Sequence, residues 1–424
     1  MSNTSIKTAP EVWDSDLIRA SFPALSRVIK GKKLVYLDCA ATSLRPNPVI
    51  DAGCDFCRMH DGNPHRGMHA LSYEATEVYE SSRDDVSRWL DAPSIKSVVI
   101  TRNATSAINL VAGGLRNKVK KGDNIVVTMM EHHANLIPWQ QLCKLTGAEL
   151  RHIPLTKTGE LDISDLSRYI DKNTKVVAVA HVSNVLGTIN PIKKISDAAY
   201  DAGAYMLVDS AQAVGHMPVS FKKLGVDFLV FSAHKCYGPS GLGFLIAKEE
   251  ALYALDPTEY GGDMIEYVSF EDSTWADIPH RFEAGTANAQ AVASFPETIR
   301  FIENIGTDKI RAHEKMIVTY ALEKLGVIDG IKILGPLDPA VRGGLVAFTD
   351  SLVPPHDMST VLDMEGVAVR AGHHCAQPLH RLLGIPSSTR ASFGVYSTKN
   401  DVDELVKAIE IARGFFGRRS QYGT

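Results

Sequence analysis

The sequence predicts an α/β protein with a large domain built on a doubly wound, mostly parallel sheet, followed by a smaller α+β domain. Three observations carry that reading. Short apolar runs recur at 97–101, 124–128, 150–155, 175–180, 205–209, 228–232 and 243–247. Helical patterns separate most of them, notably 105–115, 136–146, 162–170 and 192–202, and buried strands alternating with helices build parallel sheets. After about Val292 the alternation stops. A chain of 424 residues exceeds one ordinary domain. The expected division is an N-terminal arm and helix over 1–30 packing with the small domain, a large domain over 31–292, and a small domain over 293–424.

In chain order, residues 1 to about 14 read as a disordered arm and 16–25 as a short amphipathic helix. A strand at 34–38 (LVYLD) turns through AATS into a proline-bounded helix near 46–59. A loop bearing glycine and histidine covers 61–69, and a helix runs from about 71 to 90. Beyond the alternating region come helices at 294–305 and 308–325, a strand at 345–349, a helix at 358–365, a strand at 368–370 and a final helix at 401–416. No internal repeat or low-complexity segment interrupts the chain.

Composition narrows the function classes. Hydrophobic residues make up 45% and charged residues 22%, enough for an ordinary core. A net charge of -4 speaks against an electrostatic nucleic-acid footprint. Six irregularly spaced cysteines do not form a disulfide framework, which favours a reducing compartment. No run approaches a membrane span, and the N-terminus shows no secretory pattern. The expectation is a cytoplasmic protein that binds neither nucleic acid nor membrane.

The chemistry is organised around DFLVFSAHKCYGPSGLG, residues 227–243. An apolar strand delivers Lys235 into a turn broken by glycine and proline, an unusual place for a residue normally left in water. Desolvation lowers a lysine's pKa, and a neutral amine forms Schiff bases. Upstream, Asp209 closes the strand AYMLVD. Alone it reads as readily as a helix or turn cap. Paired with Lys235 it gives what a pyridoxal phosphate site needs: a carboxylate that keeps a pyridine nitrogen protonated and a lysine that holds the aldehyde. Ligands of doubly wound sheets bind outside the carboxyl ends of the strands, where these residues fall.

Thr105, at the start of the helix in TRNATSAINL, suits a phosphate or serves as an ordinary N-cap. Ser232 and His234 flank the lysine and are further phosphate donors. His132 or His133, in MEHHANLIPW, offers an aromatic face to a cofactor ring, and Asn184 closes another strand. A second distinctive stretch, VAVRAGHHCAQP, places Cys375 in a loop after His373 and His374. The thiolate is the nucleophile, and neighbouring imidazolium or arginine charge favours it. The alternatives are a small buried cysteine and a metal-binding histidine pair, but no second Cys/His pair lies nearby. Cys54 and Cys57 likewise lack a partner pair, and Cys39, Cys143 and Cys236 read as packing. Arg370 and Arg390 are candidates for bidentate capture of a substrate carboxylate.

Together the stretches YLDCAAT, HRGMHALS, EHHANLIPWQ, HVSNVLGTINP, VDSAQAVGH, FSAHKCYGPSGLGF, RFEAGTAN, VRAGHHCAQP and RASFGVYST resemble a fold-type I, class V pyridoxal phosphate enzyme. More narrowly, they resemble a cysteine desulfurase of the Suf type (group II). The stretches span nearly the whole chain, and R-x-GHHCA is the most specific of them. The resemblance implies that Lys235 is the Schiff-base lysine, Asp209 the pyridine-nitrogen partner, His132 the stacking ring and Gln212 the neighbour of the phenolic oxygen. Thr105, Ser232 and His234 would hold the phosphate. Thr286 would reach the phosphate of a neighbouring subunit, which implies a homodimer with shared sites. Asn184 and Arg390 would bind the substrate carboxylate, with Arg370 and His65 near the pocket mouth. Cys375 would accept the sulfur, and the small domain would carry its loop. Tyr260, where the family shows a glycine, and Ser210, after Asp209, depart from the pattern.

The implied reaction converts L-cysteine to L-alanine and leaves a persulfide on Cys375. An acceptor protein of the Suf system would collect the sulfur for iron–sulfur cluster assembly. No metal is expected at the site. The rivals are a selenocysteine lyase acting on L-selenocysteine, another class V lyase or aminotransferase, and a catalytically silent assembly scaffold.

Overall fold

The computed structural model describes residues 13–422. The arm expected over 1 to about 14 lies outside the described residues apart from Trp13 and Asp14. A seven-stranded sheet dominates the described residues. In chain order its strands are β1 (Val98–Thr101), β2 (Asn124–Thr128), β3 (Glu149–Ile153), β4 (Thr174–Ala180), β5 (Tyr205–Asp209), β6 (Phe228–Ser232) and β7 (Gly243–Ala247). Their spatial order is β1-β7-β6-β5-β4-β2-β3. All neighbours pair in parallel except β7, which runs antiparallel to both β1 and β6. The chain leaves β6 at Ser232, passes through the Lys235 turn and returns as β7, with Gly243 opposite Ser232.

Alternation along these strands explains why both faces are covered. Phe228 and Val230 enter one apolar cluster, while Leu229 and Phe231 enter another on the opposite face. In β7 the pattern repeats, with Leu245 and Ala247 on one side and Phe244 and Ile246 on the other. A sheet buried on both faces needs helices on both, which is why its strands read as continuous apolar runs. The helix expected over 162–170 does not form, and only the short 3-10 turn Leu166–Arg168 appears. Asp162 Oδ1 accepts from the amide and hydroxyl of Ser164 at 3.2 and 2.6 Å, a local bond that competes with helix formation.

A second sheet, four-stranded among the described residues, holds β8 (Ile331–Leu334), β9 (Leu345–Asp350), β10 (Arg370–Gly372) and β11 (Ser388–Ser392), ordered β8-β9-β11-β10 and antiparallel throughout. Val346, Phe348 and Ala391 pack with Ile317, Leu362 and Leu405 of the helices Thr307–Gly326, Pro355–Met364 and Lys399–Tyr422. Leu334 and Ala347 instead join the cluster of the large sheet, which seats the small sheet against it.

Two expected strands pair with each other across the chain. The segment expected over 368–370 splits: Val367–Ala368 pairs in parallel with Val35–Tyr36, and Arg370 starts β10. The early segment 34–38 therefore belongs beside the C-terminal sheet, and Asp38 bridges to Ser392 at its end. Further upstream, the Trp13 ring stacks on His313 at 3.9 Å, and Arg19 Nη1 donates to Asp401 Oδ2 at 2.7 Å and to the Tyr396 carbonyl at 2.6 Å.

Candidate active site

Lys235 lies in the turn Ala233–Lys235 that follows β6. Both sides of that turn are held. The His234 carbonyl accepts from the Ser43 amide at 2.8 Å, the Ser43 hydroxyl at 3.0 Å and the Thr42 hydroxyl at 3.2 Å. His216 Nε2 donates to the Lys235 carbonyl at 2.9 Å, and its Nδ1 meets the buried Glu314 carboxylate at 2.7 Å. Burial pushes the Lys235 ammonium below its ordinary pKa, helped by Arg390 and Arg370 and opposed by Asp209 and Cys375. These four ionisable groups lie within electrostatic reach of the amine.

Asp209 is buried at the end of β5, with the Ala211 amide donating to its Oδ1 at 3.0 Å. Burial raises its pKa, and the Lys235 charge works against that rise. Beside it, Glu131 is buried and accepts from Thr128 Oγ1 at 2.7 Å, Asn135 Nδ2 at 2.7 Å and the Ala180 amide at 3.0 Å. Burial lifts the Glu131 carboxyl to about 7 despite those donors. His132, the next residue, accepts from the Ala134 amide on Nδ1 at 3.0 Å. Its pKa falls to about 3 through burial and then through the Lys235 charge, so it stands beside the lysine as a neutral ring. Gln212 Nε2 donates to the Ala40 carbonyl at 2.7 Å.

The helix Ala104–Gly114 points its N-terminus at the same strand end. Asn103, not Thr105, is the N-cap and accepts from the Ser106 amide at 2.9 Å. Ser232 Oγ accepts from the Ala104 amide at 2.8 Å, which leaves its own proton free to donate. The close approach depends on Gly243, since a Cβ there would fall 2.4 Å from the Asn103 Cα. Thr105 is exposed in the first turn. His234 turns its Nδ1 to Thr42 Oγ1 at 3.2 Å, and burial lowers its pKa to about 4.

The carboxylate-binding candidates converge from the small sheet. Arg390 of β11 is buried; its Nη1 donates to the Asn184 carbonyl at 2.9 Å and its Nη2 to Asp38 Oδ1 at 3.3 Å. Its Nε is buried without a partner. Asn184 Nδ2 donates to the His374 carbonyl at 2.6 Å. Arg370 grips Asp38 through Nε and Nη2.

Cys375 is exposed in the loop between β10 and the helix Gln377–Leu382. It and His374 both take left-handed backbone angles, with φ of 55° and 50°. Non-glycine residues there are uncommon and mark positions that surrounding contacts over-determine. The contacts come from His133: its amide donates to the Cys375 carbonyl at 2.7 Å, and its Nε2 accepts from the Gln377 amide at 3.0 Å. The two histidines left open in the sequence thus separate, with His132 facing the lysine and His133 bracing the cysteine loop. His374 is not an imidazolium neighbour of the thiol. It turns inward to the Ser388 carbonyl and hydroxyl at 3.1 and 3.0 Å, and burial drives its pKa to about 2. The cationic groups within electrostatic reach of Cys375 are Lys235, Arg370 and Arg390.

Thr286 and His65 lie elsewhere within the chain. Both line a cavity of about 950 Å³ together with Thr105, Asn103 and Ser106, and the Lys235 cluster is not part of its wall. His65 Nε2 contacts Glu80 Oε1 at 3.0 Å, and His280 completes a set of potential ligand atoms within 4.8 Å of one another. Glu80 is also ion-paired with the buried Arg83. Of the departures, Ser210 is buried with its hydroxyl 3.1 Å from His181 Nδ1, and Tyr260 is exposed beside Trp275. Cys39, Cys143 and Cys236 are buried, and Cys54 and Cys57 lie on the helix Asn47–Met59.

Sequence reasoning missed Asp38, Glu131 and the His216–Glu314 pair. Asp38 and Glu131 fall inside stretches already singled out, YLDCAAT and MEHHANLIPW. Glu314, far along the chain in a helix, gives no local signal.

The sequence profile of the aminotransferase class-V family matches residues 35–405. The chain belongs to that family. A probable cysteine desulfurase of Halalkalibacterium halodurans is 47% identical over 401 residues, covering 94% of this chain and 98% of that protein. One from Staphylococcus epidermidis is 46% identical over 409 residues, covering 96% and 99%. Among solved structures, a cysteine desulfurase from Thermococcus onnurineus NA1 superposes with a TM-score of 0.91 at 39% identity, covering 96% of this chain and all of that one. The cysteine desulfurase CsdA from Escherichia coli gives 0.88 at 36% identity with the same coverage. This family member contains no helix, among the described residues, that is long and apolar enough to cross a membrane.

Proposed function

We infer that this chain is a pyridoxal phosphate-dependent cysteine desulfurase. The observation that carries the reading is the meeting, around one part-buried lysine, of a buried carboxylate, a neutral imidazole, a buried arginine with an unpartnered Nε, and an exposed cysteine on a braced loop. The residues fit the cofactor. Asp209 suits a protonated ring nitrogen, His132 a ring face, Gln212 a phenolic oxygen, and Ser232, His234 and Thr105 at the helix N-terminus a phosphate. When bound, pyridoxal phosphate supplies an aldehyde for an amine and a ring that accepts an electron pair.

Each remaining role belongs to the chain's own side chains. Arg390 offers its open Nε to the substrate carboxylate, and Asn184 borders the same place. Lys235, its cationic form disfavoured by burial, takes the α-proton on Nζ. The Cys375 sulfur, as thiolate, attacks the substrate sulfur. The carbon–sulfur bond breaks, the sulfur stays on Cys375 as a persulfide, and the carbon skeleton leaves as alanine once protonated. The GHHC loop supports assignment to the Suf type, with an acceptor protein that takes the sulfur toward iron–sulfur clusters. Thr286 and His65, which have no place at Lys235 within one chain, are assigned to a homodimer whose second subunit completes the site. A cytoplasmic location accords with the reduced thiol this chemistry needs.

Alanine and sulfide release from L-cysteine tests the reading, with and without candidate acceptors. Cys375→Ala is expected to keep the cofactor's absorbance and lose persulfide and sulfide formation. Normal cysteine turnover by that variant overturns the nucleophile assignment. Unimpaired L-selenocysteine turnover in the same variant marks selenocysteine lyase activity as the alternative.

A further inference from the structure

The turn that presents Lys235 does not hold itself. The short 3-10 helix Ala233–Lys235 ends in carbonyls that find no partner within so short an element. The chain then leaves through Tyr237 in a left-handed conformation, φ 68°. Such backbone persists where outside contacts over-determine it. Ser43 supplies two of them, giving its hydroxyl to the His234 carbonyl at 3.0 Å and accepting the Tyr237 amide at 2.6 Å. For Lys235 itself the contact is an imidazole, since His216 Nε2 donates to the lysine carbonyl at 2.9 Å. A carbonyl only accepts, so Nε2 carries a hydrogen. A second proton then lies between Nδ1 and the Glu314 carboxylate, 2.7 Å apart. Both residues are buried. Burial works against the imidazolium and the Glu314 charge outweighs it, so the His216 pKa rises. The fold delivers each partner. His216 lies on the connection after β5 that also carries Gln212, directly beyond Asp209. Gly215 lets that connection meet the lysine turn: its φ is 86°, and a Cβ there would fall 2.5 Å from the Cys236 Cβ. Glu314 comes from the helix Thr307–Gly326, which enters the large-sheet cluster through Ile310 and the small-domain cluster through Ile317.

We propose that His216 is a positioning residue for Lys235: oriented by Glu314, it ties the lysine carbonyl to the segment that follows Asp209, so that the amine and the ring-nitrogen partner stay in register. The proposal rests on the reading of Lys235 as the group that takes the α-proton. A misplacement of about 1 Å costs a reaction step on the order of a hundredfold. A lysine released at its carbonyl should therefore lose the proton step before it loses substrate binding. The two imidazole nitrogens are separable by substitution. An asparagine amide reaches the place of Nδ1, and a glutamine amide reaches the place of Nε2.

The experiment compares cofactor-loaded wild type, His216→Asn and His216→Gln on L-cysteine and α-deuterated L-cysteine. It also follows the absorbance of each loaded protein against pH without substrate. His216→Asn keeps a partner for Glu314 and drops the Lys235 carbonyl. It is expected to lose about tenfold to a hundredfold in kcat with KM changed less, to show a larger isotope effect, and to shift the pH at which the absorbance titrates. His216→Gln keeps a donor for the carbonyl and leaves Glu314 unpaired. It is expected to recover most of that kcat and the wild-type titration while losing thermal stability. A His216→Asn kcat within about twofold of wild type overturns the proposal, as does an unchanged isotope effect or titration. So does a His216→Gln kcat as low as that of His216→Asn, the pattern of a purely structural pair. Glu314→Ala serves if His216→Asn does not fold: it frees the imidazole to turn, so kcat should fall and the isotope effect rise, and an unchanged isotope effect overturns the proposal. Failure of the underlying reading looks different: Lys235→Ala would then still form alanine from cysteine.

Discussion

Arg390→Lys tests the proposed carboxylate site. The guanidinium is buried in β11, gives Nη1 to the Asn184 carbonyl at 2.9 Å and keeps a buried Nε without a protein partner. An ammonium is a point donor that cannot serve both directions in the fixed planes of a fork. The variant keeps a cation but loses one charge-assisted contact to substrate. Hydrogen bonds to charged groups contribute about 1.5–3 kcal/mol. At about 1.4 kcal/mol per tenfold change, KM for cysteine is expected to rise between about tenfold and somewhat more than a hundredfold. The contact exists before and after bond breaking, so kcat should move less than KM. Steady-state alanine formation across cysteine concentrations measures both, and the absorbance of the loaded protein checks that the cofactor remains. A KM within twofold of wild type, with kcat reduced, would refute the assignment and point to a purely structural arginine.

Two other outcomes follow from the same geometry. His133→Ala removes the acceptor of the Gln377 amide and weakens the bracing of the Cys375 loop by about 0.5–1.5 kcal/mol; persulfide formation should slow while cofactor absorbance is unchanged, and equal loss of both would sink the bracing role. Acid should destabilise the cofactor-free fold. Burial holds His181 at about 4 and His374 at about 2, so between pH 6.5 and pH 5 the unfolded chain binds more protons than the folded one and stability falls with pH. Each contributes about 2 kcal/mol over that window at about 1.4 kcal/mol per pH unit. Glu131, raised to about 7, acts in the opposite sense and offsets about one histidine. Urea midpoints at pH 7 and pH 5 measure the balance, and equal midpoints contradict it.

The sequence by itself determined the large sheet and singled out the candidate residues at its strand ends. Strand ends at 128, 209 and 232 were legible because continuous apolar runs stop where a doubly wound sheet places its ligands. Lys235 and Asp209 were legible for the same reason, each a charged group at the end of a buried run. Cys375 stood out through its neighbours in GHHC, although His374 turned out to be an inward-facing neutral ring.

Only the tertiary structure decided the rest. A segment near residue 36 pairs with one near 368, and that long-range pairing brings Asp38 to two arginines more than 300 residues away. No periodicity records such a contact, because register between distant strands is set by packing and not by local pattern. The helix expected over 162–170 failed because aspartate and serine side chains satisfied the backbone locally. His132 and His133 are indistinguishable in sequence, yet one stands half-buried beside the lysine and the other ties down the cysteine loop. Burial and the charges of distant neighbours, which exist only in the folded chain, assign them different work.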